Sequence, residues 1–413
     1  MIGREICRIN GREILRPFIR EICRISKRGS MEPITPQPGN AQSAKTFVGR
    51  KGMTTRAETR LLNGENLLLT DPRRMGKTQW LRHLERTTVA FTPVFINYES
   101  ARTSDELFEK TADALVHAAR LPKRFLDGLL QFLKPIEGAS AMGVSLDLRV
   151  GGTAAQRLQN LITTLNDETA SDSGRPVLLL IDELPLAIRN ITENQSPEEA
   201  RIVLQTLRAL RSSAPNVRWI LCGSIGLHHV VTQCGATKGD FNDLQSIPLG
   251  PLEKTEADEL SERLLLGAGC VSPSPAAIAE LRERCGRIPF LMHKIAQMIG
   301  ERSTSEATPD LIVDVFQGFL DDRDESGAVT HFVERFDVNY GEDRDEAMGI
   351  LDRVAMDESV VVTQILNHES GRNARARLID LLVDDHYLIE SSGVLTWRYP
   401  VLKRIWLQRR KLT

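Results

Sequence analysis

One stretch of about twenty residues most constrains what this chain can fold into. A short apolar run ends at Thr70, a tight loop with the sequence DPRRMGKT follows, and the next eight residues carry apolar side chains at helical spacing. A strand, a glycine-containing loop and a helix in this order are typical of a P-loop, whose backbone N–H groups and helix N-terminus surround phosphate groups. The sequence therefore predicts a nucleotide-binding α/β domain.

The P-loop pattern assigns a role to most residues of the loop. Lys77 is expected to reach the β- and γ-phosphates of ATP, Thr78 to bind Mg²⁺ through its hydroxyl, and Gly76 to allow close approach of the backbone. Asp71 replaces the first glycine of the pattern, and a carboxylate near phosphates is unfavourable unless it points away from the loop. The other residues expected to line the nucleotide are Pro72, Arg73, Arg74, Met75 and Gln79.

Length and composition limit the class of protein. A chain of 413 residues with 41% hydrophobic residues suits two or three globular domains, and a net charge of −2 gives no general attraction to nucleic acid or membrane. The eight histidines and six cysteines show no metal-ligand spacing, so we expect no histidine or cysteine metal site, no disulfides and a cytoplasmic location. No run of about 18 apolar residues is present to span a membrane.

The first 28 residues contain three imperfect octads and carry eight basic and three acidic residues. A basic amphipathic helix on a membrane or nucleic acid is one interpretation, but Pro17 interrupts that helix. We favour a translated repeat upstream of a start at Met31 and read residues 32–44 as a linker. Residues 1–45 are therefore excluded from the predicted fold.

Strands and helices alternate after the P-loop. A strand at 93–98 precedes a helix at 104–119, the segment 120–152 contains a helix and a hairpin at 144–150, and a helix covers 153–166. Such alternation predicts a parallel sheet covered by helices.

A second motif lies at residues 176–183, where an apolar run ends in two carboxylates. The run suits a central parallel strand buried on both faces, and ligands bind at the carboxyl ends of such strands. Asp182 is predicted to hold Mg²⁺ and Glu183 to activate the attacking water. The alternative is that the two acids only cap a loop.

Two further features complete the predicted ATPase core, which spans 46–252. A helix at 197–213 precedes a strand at 217–224, whose last residue, Ser224, could contact the γ-phosphate or belong to an ordinary turn. Residues 245–249 form the last candidate strand.

From 253 to 325 the pattern is helical, with helices at 254–267, 274–285, 289–300 and 308–320 that would form a lid over the nucleotide. Arg287 and Pro289 start the third of these helices. Arg287 could point at the nucleotide, and a solvated arginine is the alternative.

Residues 326–413 form the predicted third unit. Helices at 343–355, 359–367 and 373–385 precede a hairpin, which together describe a winged helix. Basic residues on its third helix and at the chain end could contact DNA phosphates, but neighbouring aspartates favour docking to a protein or within the chain equally well. The basic residues are Arg372, Arg375, Arg377, Lys403, Arg404, Arg409, Arg410 and Lys411.

Taken together, these motifs and their order resemble the AAA+/STAND group of P-loop ATPases, especially the prokaryotic branch near archaeal-type ATPases and origin-recognition proteins. The resemblance covers residues 46–413 and implies that the strand ending at 224 lies between the two motif-bearing strands. It also implies that residues 47–50, among them Val48, Gly49 and Arg50, line the adenine pocket. An arginine finger late in the helix before that strand would be Arg208 or Arg211.

The sequence as a whole predicts an ATP- and Mg²⁺-binding ATPase that drives a conformational or assembly switch. Self-association or a protein partner at the winged helix is expected, and no membrane partner. One alternative is a DNA-binding protein, origin-recognition-like or transposition-associated, that uses ATP for assembly. Another is a scaffold that binds nucleotide without hydrolysing it.

Overall fold

A computed structural model of the chain describes residues 31–39, 43, 45–118, 121, 153–171, 175–223, 226–322, 339–367 and 371–412. Three predictions fall outside these residues: the octad repeat, the helix and hairpin within 120–152, and the role of Ser224.

The central feature is a five-stranded parallel sheet in the order β2-β3-β4-β1-β5. It confirms the predicted α/β class, and β4 lies between β1 and β3 as the resemblance implied. The strands are β1 (Asn66–Leu69), β2 (Thr92–Asn97), β3 (Val177–Asp182), β4 (Val217–Cys222) and β5 (Leu244–Ser246).

The two faces of the sheet belong to two apolar cores. Leu178 and Leu180 of β3 lie in one core, whereas Leu179 and Ile181 lie in the other, and none of the four is exposed. Successive side chains of a strand point to opposite faces, so the uninterrupted apolar run is explained by burial on both sides. This burial fixes the carboxyl end of β3, which Asp182 ends and Glu183 follows.

Seven helices of the described residues surround this sheet. Thr103 and Ser196 cap two of them, each accepting a hydrogen bond from the backbone N–H three residues later. The helices are α1 (Lys51–Leu62), α2 (Lys77–Thr87), α3 (Ser104–Val116), α4 (Ala154–Ser171), α5 (Leu184–Asn194), α6 (Pro197–Ser213) and α7 (Leu227–Gln233).

Four more helices follow in the chain, and we call them the helical unit. Their bounds differ from the predicted ones by one residue at most. Three of them begin with proline, which fits the first turn because its missing N–H would have no partner there. The helices are α8 (Lys254–Gly267), α9 (Pro275–Arg284), α10 (Pro289–Glu301) and α11 (Pro309–Asp321).

Residues 31–39 pack on this helical unit. The prediction that residues 32–44 form a linker therefore does not hold for residues 32–39. The side chain of Ile34 is 1% exposed, and its backbone N–H donates to the Arg263 carbonyl at 2.9 Å. A side chain on Gly267 would collide with the Ile34 carbonyl. This contact could not be predicted from the sequence, because Ile34 is a single apolar residue among prolines and polar residues.

The C-terminal unit combines helices with a three-stranded antiparallel sheet of order β6-β8-β7. Three helices and a hairpin are present as predicted for this unit, with two differences: residues 359–361 form a strand rather than the start of a helix, and a final helix was not predicted. The elements are α12 (Arg344–Met356), β6 (Ser359–Val361), α13 (Val362–Leu366), α14 (Arg372–Asp384), β7 (Leu388–Ser391), β8 (Val394–Trp397) and α15 (Pro400–Arg410).

One apolar core extends from one face of the parallel sheet through the helical unit into the C-terminal unit. Trp80 of α2, Ile295 of α10 and Trp406 of α15 are all members, each at most 2% exposed. The three units are therefore packed together around the P-loop. In the part of the chain that the structure describes, no helix is both long and apolar enough to cross a membrane.

Candidate functional site

A cavity of about 350 Å³ lies at the P-loop, next to the carboxyl end of β3, and is closed on one side by α10. It gathers most of the residues predicted for nucleotide and metal binding. The predicted residues that line it are Phe47, Val48, Arg50, Arg73, Arg74, Met75, Gly76, Lys77, Thr78, Gln79, Asp182, Glu183 and Pro289.

The loop before α2 is shaped by two residues with positive φ, Arg74 at 71° and Gly76 at 92°. Only glycine adopts this region without cost, which explains Gly76. The Lys77 ammonium is almost fully buried and donates hydrogen bonds to the carbonyls of Pro72, at 2.8 Å, and Asp71. The loop thus wraps around a cation at the position where phosphate oxygens would compete for it.

Thr78 and Asp182 bring the two sequence motifs together. The Thr78 hydroxyl donates to the Asp182 carboxylate at 2.6 Å, and Asp182 is 2% exposed. A hydroxyl and a carboxylate oxygen are the hard donors that Mg²⁺ prefers, usually with waters and substrate phosphates in its remaining positions. The pair therefore fits the predicted magnesium site.

Glu183 follows Asp182 directly and also lines the cavity. Glu183 immediately precedes α5, and its own φ is 59°. Its N–H donates to the Asp182 carboxylate at 3.2 Å. A non-glycine residue in the left-handed region is uncommon, and such conformations cluster at functional sites. Asp182 and Glu183 therefore differ in backbone conformation, one extended in the strand and the other left-handed.

The Asp71 carboxylate points away from the phosphate loop. It accepts hydrogen bonds from the N–H groups of Leu249 and Gly250 and, at 3.3 Å, from the Tyr399 hydroxyl. These partners hold the negative charge outside the cavity lining. The departure from the P-loop pattern is therefore compatible with phosphate binding.

Arg50 lines the cavity but turns its guanidinium into the protein. It donates to the carbonyls of Leu249 and Gly250 at 2.6 and 2.7 Å and to that of Met75 at 3.1 Å. Burial lowers the pKa of Arg50 to about 10, so the side chain still carries its charge at neutral pH. Arg50 thus braces the P-loop against the segment after β5.

Several predicted residues lie elsewhere. Of the described residues proposed for the nucleotide, Gly49, Pro72 and Arg287 do not line the cavity. The Arg287 carbonyl instead accepts a hydrogen bond from Leu252 at 3.0 Å, in the turn that leads into α10.

The two arginine-finger candidates differ in their environment. The Arg211 side chain is fully buried and forms a bidentate ion pair with Asp243, at 2.6 and 2.9 Å, so it does not fit a role at a neighbouring molecule. Arg208 is 41% exposed and lies 3.6 Å from Asp240. Arg208 remains the candidate on this helix.

Nine lining residues were not predicted, among them the polar residues Gln37, Asn97, Glu99 and His293. Asn97 ends β2 directly beside Asp182, and a polar residue at the end of a predicted strand was a usable signal. The Gln37 N–H donates to Nδ1 of His293 at 3.2 Å. Burial lowers the pKa of His293 to about 4, which keeps the imidazole neutral.

The C-terminal unit touches the P-loop strand through His386. Arg398 donates to Nδ1 of His386, so the other nitrogen carries the proton and donates to the Thr70 hydroxyl at 2.8 Å. Burial lowers the pKa of His386, consistent with this neutral form. Thr70, the last residue before the phosphate loop, is therefore hydrogen-bonded to the C-terminal unit.

The sheet order, the glycine-containing loop after β1 and the Asp-Glu pair at the end of β3 match the P-loop α/β fold. The chain is similar in structure to the Walker-type ATPase of Pyrococcus abyssi, with a TM-score of 0.60 and 16% identity over 90% of this chain and 98% of that one. At this identity, the likeness establishes the fold.

Weaker similarities extend to two other archaeal proteins. The ORC2 protein of Aeropyrum pernix gives a TM-score of 0.44 at 9% identity over 89% of this chain and 96% of that one. Cdc6p of Pyrobaculum aerophilum gives 0.38 at 14% identity over 88% and 95%. No protein-family model and no curated protein matches the chain.

Proposed function

We propose that the chain binds ATP with Mg²⁺ in the cavity at the P-loop and hydrolyses it. The observation that carries this proposal is the 2.6 Å hydrogen bond between Thr78 and Asp182 inside a cavity that Lys77 and Glu183 also line. The fold of the Walker-type ATPase of Pyrococcus abyssi, shared over nearly the whole chain, supports it.

In the proposed reaction, Lys77 leaves the carbonyls of Asp71 and Pro72 and donates to the β- and γ-phosphate oxygens. Thr78 and Asp182 hold Mg²⁺, which would neutralise developing charge on those phosphates. Glu183 orients a water molecule in line with the γ-phosphate and accepts its proton. Ser224 remains a proposed contact to the γ-phosphate or the water.

The energy of hydrolysis would drive a conformational switch, because the C-terminal unit is bonded to the P-loop itself. His386 contacts Thr70, and Tyr399 contacts Asp71. Any movement of the loop on phosphate binding would therefore shift the residues of both contacts. Arg208, exposed on α6, would complete the site of a neighbouring copy if the switch controls assembly.

Side-chain contacts give less support to the alternative of a DNA-binding protein. Arg375 and Arg377 on α14 pair with Glu346 and Asp343 at 2.6 and 2.5 Å, and Arg410 pairs with Asp352. Guanidinium groups engaged in this way would have to exchange an internal carboxylate for a phosphate. We therefore place the protein-docking role of the C-terminal unit first.

The direct test measures binding of a fluorescent ATP analogue and release of phosphate, with and without Mg²⁺. We expect Mg²⁺-dependent binding of the nucleotide and Mg²⁺-dependent release of phosphate. Binding without release would support the non-hydrolysing scaffold instead. Failure to bind nucleotide at millimolar concentration would overturn both.

A further inference from the structure

Three side chains meet at the contact between α7 and the end of α14, outside the nucleotide cavity. His228 and His229 are the second and third residues of α7, and Asp385 follows the last residue of α14. One donor atom from each residue can be chosen so that all three lie within 4.8 Å of one another. The cluster could not be predicted from residue spacing, since Asp385 is 156 residues from His229.

The hydrogen bonds within the cluster are incomplete. Nε2 of His229 lies 2.8 Å from one oxygen of the Asp385 carboxylate, in good hydrogen-bond geometry. Nε2 of His228 is buried and lies 3.1 Å from the other oxygen, where it pairs with the carboxylate without meeting the geometry of a hydrogen bond. Both carboxylate oxygens therefore face an imidazole nitrogen, and these are donor types that bind a metal ion.

A glycine keeps space open at the same point. A Cβ atom on Gly226 would lie 2.5 Å from Cε1 of His228 and 2.7 Å from a carboxylate oxygen of Asp385. The backbone does not require glycine there, because φ of −61° and ψ of 126° are accessible to any residue. The glycine is therefore explained by the room it leaves around the cluster.

We propose that His228, His229 and Asp385 bind a divalent transition-metal ion of the zinc type. Two imidazole nitrogens and one carboxylate oxygen are a common zinc donor set, whereas Mg²⁺ and Ca²⁺ prefer oxygen ligands alone. Zinc bonds of about 2.0–2.2 Å would draw the three donor atoms around one ion through adjustment of the side chains. The Tyr340 hydroxyl donates to the Asp385 carboxylate at 2.7 Å and would orient it as a ligand.

The ion would join two parts of the molecule. The histidines belong to the helix after β4 of the parallel sheet, and Asp385 and Tyr340 belong to the C-terminal unit. Zinc bound across this contact stabilises the docked arrangement by mass action, because it binds the folded chain and not the separated units. The site is distinct from the magnesium site at Thr78 and Asp182.

The test uses the full chain without a polyhistidine tag, stripped with a chelator and titrated with zinc chloride against a chromophoric chelator. We expect about one zinc ion per chain and a thermal midpoint that rises by several degrees with zinc. The variants His228→Gln and His229→Gln should each lose about tenfold or more in zinc affinity. His117→Gln, which changes an exposed histidine, is the matched control and should bind like the wild type.

Two further variants test whether zinc binds at this cluster rather than at the nucleotide site. Gly226→Ala should weaken zinc binding because its methyl group enters the cluster, and Asp182→Asn should leave zinc affinity unchanged. The proposal is overturned if the wild type binds no stoichiometric zinc. It is equally overturned if His228→Gln or His229→Gln, shown to be folded by circular dichroism, binds zinc as tightly as His117→Gln.

Discussion

The Tyr399 hydroxyl donates a hydrogen bond to the Asp71 carboxylate across 3.3 Å and 328 positions of the chain. Asp71 is the first residue of the phosphate loop, and Tyr399 immediately precedes the final helix of the C-terminal unit. Burial beside this carboxylate raises the pKa of Tyr399, so the hydroxyl remains a donor. An aspartate in place of the usual glycine thus serves the packing of the C-terminal unit.

Replacing Asp71 with glycine, which restores the usual P-loop pattern, should destabilise the protein. The N–H groups of Leu249 and Gly250 would lose their acceptor, and buried donors without partners cost about 1–3 kcal/mol each. We expect the free energy of unfolding to fall by roughly 3 kcal/mol, measured by urea denaturation, with no gain in ATP affinity. Asp71→Asn, which keeps one acceptor oxygen, should lose less. Tighter ATP binding at unchanged stability would contradict this account.

Lys77→Ala should abolish ATP binding, because the phosphate loop loses the cation that it surrounds. Titration with a fluorescent ATP analogue measures the effect, and we expect a loss of at least about 100-fold in affinity, since charge-assisted hydrogen bonds are worth roughly 1.5–3 kcal/mol each. Lys51→Ala removes an exposed lysine near the site and serves as the control. Equal affinities in the two variants would remove the P-loop from the proposed site.

Glu183→Gln should retain ATP but hydrolyse it slowly. The amide keeps the shape of the side chain and removes the base, so kcat should fall by about 100-fold or more. Asp182→Asn should instead weaken Mg²⁺-dependent binding, because the partner of Thr78 loses its charge. Phosphate release is measured beside nucleotide affinity for both variants. Turnover of Glu183→Gln at the wild-type rate would show that another group activates the water.

Arg208 should act on a neighbouring copy of the chain. A Glu183→Gln protein and an Arg208→Ala protein, each nearly inactive, should regain part of the wild-type phosphate release when mixed. Arg211→Ala should lower stability instead, because Asp243 would be left without its buried partner. Specific activity that stays constant over a wide range of wild-type concentrations would favour a switch within one molecule.

The free energy of unfolding should fall in mild acid, because His293 is harder to protonate in the folded chain than in the unfolded chain. Its pKa is about 4 in the folded chain and about 6.5 when unfolded, so between these values the unfolded chain binds more protons and stability falls as pH falls. From pH 7 to pH 5 this residue should cost roughly 2 kcal/mol. Urea denaturation at both pH values should show a smaller loss for His293→Gln than for wild type. The exposed-site variant His117→Gln should retain the full loss, and equal losses in all three proteins would rule out the assignment.

Local signals in the sequence were sufficient for the sheet and the two motifs. The apolar run before Asp182 and the loop around Gly76 each predict their own structure, because burial on both faces and phosphate binding demand particular residues over a short stretch. The sheet order then brought Thr78 and Asp182 together as the family resemblance implied. The C-terminal strand β6 was mistaken for helix because its three residues pair only with a strand more than 30 residues later.

Contacts between distant segments could not be predicted from these patterns. Arg211 has the position of an arginine finger in the helix, but its burial depends on Asp243, which the sequence does not mark as its partner. The orientation of Asp71 depends in the same way on residues 178 and 328 positions away. Side chains of this kind carry no local periodicity, so only the assembled structure shows what they contact.

The docking of residues 31–39 has a practical consequence for observing the molecule at work. Ile34 is bonded to α8 and Gln37 to His293 of α10, so this segment must travel with the helical unit. Met31 at its start is exposed, and the four cysteines of the described residues are buried. With Cys7 and Cys23 replaced by serine, a fluorescent dye attached through Met31→Cys would therefore act as an optical reporter of how the helices beside the cavity move, although it is attached more than 200 residues away from them in the chain.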